Sequence, residues 1–508
     1  MDILQGFETG LATALTWHAL MYCFIGVTIG TFVGVLPGIG ALAAISLALP
    51  LTYYLDPTDA LIMLAGIFYG AQYGGSTASI LLNLPGTATA AITCLDGYPL
   101  AQQGKAPLAI FVTAINSFVG SSIAIVLVMG FAPAIAEFAL EFGAEDYFSV
   151  MLLGLVAAST LTIGSPMKAL SMVVFGLLLG MVGTDVNTGQ FRFTFGLFEL
   201  ADGFSIVAVA MGLFGVAEII SNIRQPQGVI QKVGRIRLKD MMPKRGEWRQ
   251  IVRPTLRGSA IGSFVGALPG TGPGIASLMA YATEKRISKT PDRFGKGALE
   301  GISAPEAANN ASVQSAFIPM LSLGIPGDAI VAVLMGAMIL HGITPGPNLI
   351  NSEPQMFWGL IMSFWVGNLM LLVLNIPLIG LWVKLLSVPY NLLYPGILVF
   401  ICVGVFSADN NVFDIFVVLG FGVLGYLMRR FGFPATPVLL GFILGPLLEE
   451  NFRRAMLLSR GDASVFFTSP ISAVFMGLSL IFLASVFLPS LRQRLLRRAP
   501  VEMNEDDD

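Results

Sequence analysis

The chain has 508 residues, a formal net charge of −3, 55% hydrophobic residues and 12% charged ones, about half the roughly 25% charged share of a soluble globular protein. Mean hydropathy is +0.78. These values exclude a disordered chain and a basic nucleic-acid binder, and they speak against a soluble multidomain enzyme. Gly (57) and Pro (29) are frequent without a Gly-X-Y period, which suits a polytopic membrane protein, where neighbouring helices re-satisfy a broken backbone. Cys23, Cys94 and Cys402 lie far apart in apolar sequence and read as small hydrophobes, with neither a disulfide framework nor metal-ligand spacing.

The opening MDILQGFETG carries no basic region and no small-residue cleavage site follows it, so no cleaved signal peptide is expected. In chain order, the sequence predicts spans at 108–131, 147–163, 168–184, 203–222, 356–382, 393–407, 413–428, 434–450 and 465–489. Regions 20–51, 60–93 and 302–340 are as apolar but interrupted by Gly and Pro, and 258–283 is shorter and equally Gly-rich.

Lys and Arg set the orientation. Ten lie between Arg224 and Arg257, five between Lys285 and Lys296, and four end the chain at Arg492, Arg494, Arg497 and Arg498. All three stretches are expected in the cytoplasm, and the acidic 137–146 segment outside. Arg192, Arg453, Arg454 and Arg460 are the exceptions to this layout.

The sequence also repeats. GVLPGIG (34–40) returns as GALPGTG (266–272), NLPGTATAAI (83–92) as GIPGDAIVAV (324–333), SFVG (117–120) as FWVG (364–367), and FGLLLG (175–180) as FGVLGY (421–426). The loop after the first motif, YYLDPTD, has no basic residue, whereas its counterpart EKRISKTPDRFGK has five. The expected fold is therefore all-α, a polytopic integral membrane protein of two inverted-topology repeats with re-entrant hairpins and discontinuous helices, plus one extra C-terminal transmembrane helix. Its parts are a first repeat (1–222), a basic cytoplasmic linker (223–257), a second repeat (258–462), the extra helix (463–490) and a cytoplasmic tail (491–508).

Pro ends or starts a helix, and Gly allows positive φ or close approach. A Pro-Gly break inside an apolar run therefore presents free N–H groups at a new helix start, which favour anions, and opposing carbonyls, which favour cations. Beside the breaks stand Ser76, Thr77, Ser79 and Asn83 in the first copy, and Glu306, Asn309, Asn310, Ser312 and Gln314 in the second. Polar groups of this kind inside a membrane line sites or bond helices together. Asp328 suits helix capping, with cation coordination as the sharper alternative. Glu306 fits either a proton relay or a solvated place near the cytoplasmic end. Enzyme chemistry is not expected: His18 and His341 are isolated, Ser76 has no base nearby in sequence, and no Walker A motif occurs.

GVLPGIG (34–40), YGGSTASILLNLPGT (73–87), GALPGTGPGIAS (266–277), PEAANNA (305–311) and SLGIPGD (322–328), in this order, resemble the large permease subunit of the tripartite tricarboxylate transporters, the TctA family, over about residues 10–490. The resemblance implies a bacterial inner-membrane, multi-pass permease with a cytoplasmic C-terminus, working beside a small TctB-like membrane subunit. It implies delivery of citrate or a related small carboxylate by a periplasmic, TctC-like solute-binding protein, and secondary transport driven by Na⁺ or H⁺ with no resident cofactor. It carries Gly38, Gly40, Ser76, Thr77, Asn83, Gly86, Gly270, Gly272, Asn309, Asn310 and Gly327 as substrate-site positions, with Asp328 and Asn310 as candidate Na⁺ ligands. The alternative is an ion-coupled carrier or exchanger that needs no binding protein. Besides these partners only membrane lipid is expected, and no nucleic acid.

Overall fold

Runs of Ala, Leu, Ile and Val without two-residue alternation satisfy their backbone internally as helices, the only open-ended structure a lipid environment allows. The computed structural model describes residues 3–36, 40–161, 164–185, 188–222, 241–385 and 390–496. Among them the fold is helical, apart from one small antiparallel hairpin of Gly183–Thr184 with Phe191–Arg192. Four helices are long and apolar enough to cross a membrane: Trp17–Val35, the continuous Ala91–Ala139 run, Ala144–Leu161 and Pro354–Asn375. Shorter apolar helices include Ala41–Thr52, Pro166–Gly180 and Ala329–Leu340. Large apolar side chains such as Phe264, Phe400, Phe416 and Ile481 are exposed on the outside, as a lipid-facing surface requires. The chain is thus an all-α, multi-pass membrane protein.

The two copies are built alike. In the first, Trp17–Val35 and Ala41–Thr52 form a helical pair beside the broken helix Pro57–Leu82 and Ala91–Leu100. In the second, Trp248–Gly266 and Gly272–Ile287 stand beside Glu300–Ser315, Phe317–Leu323 and Ala329–Leu340. Each broken helix stops at the same place: Asn83 (φ 55°) and Gly324 (φ 68°) both cap their helix in the left-handed region, which only Gly, and at some cost Asn, adopts readily.

Packing repeats in the same register. Gly26, Gly30 and Gly34 of Trp17–Val35 lie against the backbone of Met63, Ile67 and Ala71. Gly258, Gly262 and Gly266, each 232 positions later, lie against Ala304, Ala308 and Ser312, each 241 positions later. Residues without a Cβ let the two backbones touch, which is how helices associate where lipid removes the hydrophobic drive.

The two broken helices run in opposite directions. Tyr53, just before Pro57–Leu82, stacks near His341, just after Ala329–Leu340, with ring centroids 6.3 Å apart. At the other end Asp96, inside Ala91–Leu100, accepts the N–H groups of Gly295, Gly297 and Ala298, just before Glu300–Ser315, at 2.7–2.9 Å. The start of each broken helix is therefore at the end of the other.

The outer helices are exchanged. Gly176 of Pro166–Gly180 lies on the Val438 carbonyl of Thr436–Leu458, and Gly441 on that of Val173. Reciprocally, Gly425 of Phe413–Phe431 lies on the Leu213 carbonyl and Gly212 on that of Val418. Each copy thus supplies a helix to the other's last helix.

Two boundaries differ from expectation. Trp248–Gly266 starts ten residues before 258, so Arg249, Arg253 and Arg257 ride on a helix. Arg257 is held there by a bidentate pair with Glu284, at 2.5 and 2.9 Å. Thr436–Leu458 continues past 450, which puts Arg453 and Arg454 on the helix. Arg453 pairs with Asp185 at 2.9 Å and Glu449 at 2.6 Å, and Arg192 with Glu449 at 2.7 Å. Three of the four exceptions in the charge layout are therefore helix or hairpin residues, two of them in one ion-pair network. Positions 223–240 of the linker and 497–508 of the tail lie outside the described residues.

Candidate functional site

Each interruption in the copies is closed by its own neighbour. In the first copy Gly86 is pressed between the Gly34 carbonyl and the Cα of Gly75. In the second, Gly270 (φ 81°) donates its N–H to the Gly327 carbonyl at 2.7 Å, and Gly327 lies on Ala316. Ala316 is 241 positions after Gly75, so the two contacts are equivalent. Gly272 (φ 67°) opens Gly272–Ile287 beside Asp328. Asp328 is the N-cap of Ala329–Leu340, its Oδ1 accepting from the Val331 N–H at 2.8 Å. The capping reading of Asp328 is thereby met. The irregular backbone of the second break, 324–328, is thus buried in protein, the condition for its stability at membrane depth.

Between the breaks the two broken helices enclose a polar centre. Glu306 is only 1% exposed, so the solvated alternative does not hold. Its Oε1 accepts from Ser76 Oγ at 2.5 Å, Ser117 Oγ at 3.1 Å and Asn310 Nδ2 at 3.3 Å, and its Oε2 from Thr93 Oγ1 at 2.9 Å. Beside it Gln72 Oε1 accepts from Thr89 at 2.6 Å, Thr87 at 3.3 Å and Asn309 at 3.4 Å. Tyr73 donates its hydroxyl to Asn368 Oδ1. A cavity of about 10 Å³, lined by Tyr73, Ser76, Thr77, Thr113, Ser117 and Asn375, has room for about one water.

Several buried polar atoms here have no partner: Asn309 Oδ1, Asn310 Oδ1, Ser312 Oγ and both head-group atoms of Gln314. All sit on Glu300–Ser315. Unsatisfied buried polar groups are rare, and each marks a place where a ligand or water can bond.

The candidate residues therefore fall into groups. Ser76, Asn309 and Asn310 belong to the polar centre, and Thr77 to its cavity. Gly270, Gly272, Gly327 and Asp328 meet at the second break, and Gly86 at the first. Gly40 (φ 73°) starts Ala41–Thr52 near Glu218, away from this centre. Asn83 is exposed and serves as a left-handed helix end. Asp328 and Asn310 have separate sets of partners. Gly38 lies outside the described residues. Gln72, Thr87, Thr89, Thr93 and Ser117 were not among the candidates, although Gln72 directly precedes the YGGST motif.

Comparison with known proteins identifies the family. The family model described as "Tripartite tricarboxylate transporter TctA family" matches residues 20–440. A protein of Agrobacterium vitis, described as an uncharacterized 52.8 kDa protein in the TAR-I ttuC′ 3′ region, is 49% identical over 506 residues, all of both chains. A second Agrobacterium vitis protein, described as an uncharacterized protein in the TAR-II ttuC′ 3′ region, is 53% identical over 223 residues, 44% of this chain and 92% of the relative. No solved structure matches. With a match over most of its length and a full-length relative at this identity, the chain belongs to the TctA family of tripartite tricarboxylate transporters.

Proposed function

We propose that the protein is the large permease subunit of an ion-gradient-driven importer of tricarboxylates or related small carboxylates. A periplasmic binding protein delivers the substrate and a small membrane subunit docks on the outer helices, in the bacterial inner membrane with the C-terminus in the cytoplasm. The observation that carries this reading is the antiparallel pair of broken helices: Tyr53 meets His341 at one end, and Asp96 holds Gly295, Gly297 and Ala298 at the other. With the basic 285–296 loop inside, the first copy's hairpin enters from the periplasm and the second's from the cytoplasm, an inverted repeat. In such folds substrate binds where half-helices end near the midplane.

Substrate carboxylates suit the helix starts at Gly272 and Asp328–Ala329 and the amides of Asn309 and Asn310, because the polar centre contains no Lys or Arg. The coupling ion is Na⁺ or H⁺, with Asp328 and Asn310 as candidate Na⁺ ligands.

The test is reconstitution of the chain with its small subunit and binding protein, followed by uptake of a labelled di- and tricarboxylate panel including citrate under imposed Na⁺ or proton gradients. Uptake that needs all three proteins and one gradient is expected. Full-rate uptake by the chain alone would replace the tripartite reading with a self-sufficient carrier, and no uptake of any panel member would sink the carboxylate assignment.

A further inference from the structure

The helix Trp248–Gly266 has two faces with different surroundings. Its inner face, at Gly258, Gly262 and Gly266, rests on the backbone of Ala304, Ala308 and Ser312. On the outer face Trp248, Val252, Leu256, Ala260 and Phe264 recur every four residues, and all are exposed. Side chains at this spacing lie one above the other, so an apolar stripe follows the helix. Beside it runs a second exposed row at the same spacing, Arg249, Arg253 and Arg257. Arg257 is held by Glu284. Arg249 and Arg253 join no ion pair among the described residues. Acidic groups at this end of the helical pair are engaged elsewhere: Glu300 faces Arg293 at 3.6 Å, and Glu247 accepts the Lys244 N–H at 2.7 Å.

The first copy shows that the packing does not need these arginines. Its equivalent helix is Trp17–Val35, 232 positions earlier. Val252, Leu256 and Phe264 correspond there to Leu20, Phe24 and Phe32, so the apolar stripe is kept. Arg249, Arg253 and Arg257 correspond to Trp17, Met21 and Ile25, so the row of cations is not. The length of the stripe matters as well. From Arg253 to Phe264 the helix rises about 16 Å, about half of a hydrocarbon core of roughly 30 Å. That is the reach of one leaflet, with charge at one end and hydrocarbon along the rest.

Resting only on residence in a membrane, and not on the transport reading, we propose that Arg249 and Arg253 form a binding site for an anionic phospholipid. Its phosphate bonds the two guanidinium groups, and its acyl chains lie along Val252, Leu256, Ala260 and Phe264. Guanidinium groups one turn apart suit one phosphate, because each offers a fork of N–H donors that matches phosphate oxygens. A zwitterionic lipid brings its own cation beside the phosphate and gains less from the pair. A free phosphate lacks the chains that cover the stripe. The site lies at the base of the helical pair whose tip donates from Gly270 to Gly327, so the lipid fastens that pair at the membrane surface.

Native mass spectrometry of the purified full chain, released from detergent that holds phosphatidylglycerol and phosphatidylcholine in equal amounts, tests the site without substrate or partner subunits. The wild type is expected to retain phosphatidylglycerol in preference. That preference should fall about fivefold in Arg249→Gln or Arg253→Gln, and further in the double variant, and it should survive when both are replaced by Lys. Lys105→Gln together with Arg454→Gln removes the same charge from exposed positions elsewhere and should leave the preference unchanged, whereas arginines that served only to orient the helix during insertion would behave no differently from these. Independently of any variant, a phosphatidylglycerol with a photoreactive acyl chain should label the wild type within 248–264. Equal retention of both lipids by the wild type, an unchanged preference in the double Gln variant, or labelling confined to other helices would each overturn the proposal. So would displacement of the lipid by millimolar inorganic phosphate, which marks a site for the free ion, or its exclusion by the small membrane subunit, which gives this face to a protein.

Discussion

The Gly270 N–H donates to the Gly327 carbonyl at 2.7 Å, tying the tip of the second helical pair to the gap in the helix beside it. Both glycines belong to Pro-Gly motifs 57 positions apart in the sequence. The contact is backbone to backbone, so no side chain can substitute for the approach. In the first copy the counterpart of Gly327, Gly86, lies against the Gly34 carbonyl.

Glycine replacements should therefore separate by location. Gly86→Ala places a methyl group onto the Gly34 carbonyl and is expected to cost about 1–3 kcal/mol, as overpacking does. Gly130, exposed on Ala106–Ala139 with nothing near its missing Cβ, is expected to tolerate Ala, or to gain up to about 1 kcal/mol of helix propensity. Thermal unfolding of both variants in detergent reads the difference, and equal midpoints would refute it.

Asp96 is a clasp between the copies. Truncation to Ala leaves the N–H groups of Gly295, Gly297 and Ala298 and the Tyr281 hydroxyl without their acceptor; of these Ala298 and Tyr281 are buried, at about 1–3 kcal/mol for each buried group left unpaired. Asp96→Asn keeps one oxygen acceptor and should lose less. Trypsin provides the readout, because Lys289, Arg293 and Lys296 lie in or beside the clasped loop. Cleavage there should speed up in the order wild type, Asn, Ala, and an unchanged rate in the Ala variant would remove Asp96 from this role.

Gln72 gathers Thr87, Thr89 and Asn309 on one carbonyl oxygen. If this cluster shapes the substrate site, Gln72→Ala should raise the KM for carboxylate uptake by about tenfold, the equivalent of about 1.4 kcal/mol of binding. A variant that lowered only the amount of folded protein, with KM unchanged, would assign Gln72 to packing.

The antiparallel arrangement makes a prediction about sidedness. In a background with Cys23, Cys94 and Cys402 replaced, Lys289→Cys and Asn348→Cys occupy exposed positions near opposite ends of the second broken helix. A membrane-impermeant thiol reagent applied from the periplasm should label position 348 and leave 289 untouched until the membrane is opened. Labelling of both from one side would rule out the inverted arrangement.

The helix interruptions were legible in the sequence because Pro and Gly act locally, weakening a helix at LPG and IPG, although Pro395-Gly396 stays inside the continuous helix Tyr390–Asp409. The repeat followed from the same residues. Partners across the molecule were not legible. Thr93 and Ser117 reach Glu306 over 213 and 189 positions, and nothing in their own neighbourhoods announces it. One trace was available: SFVG matches FWVG except at its first two letters, and the first sets Ser117 against Phe364. Asn83 has a local role that the sequence reading did not name. An Asn in a Gly-Pro-rich break reads as a ligand, and its tolerance of positive φ also serves the helix end.

The exchange of outer helices has a consequence for how the protein can be divided. Pro166–Gly180 finds its glycine seam on Thr436–Leu458, and Phe413–Phe431 finds its own on the helix holding Gly212 and Leu213. A polypeptide carrying one copy alone would expose two such seams to lipid and leave Asp96 or its three amides unclasped. None of these contacts involves positions 223–240, so two fragments divided there and produced together are expected to reassemble, and neither is expected to fold by itself.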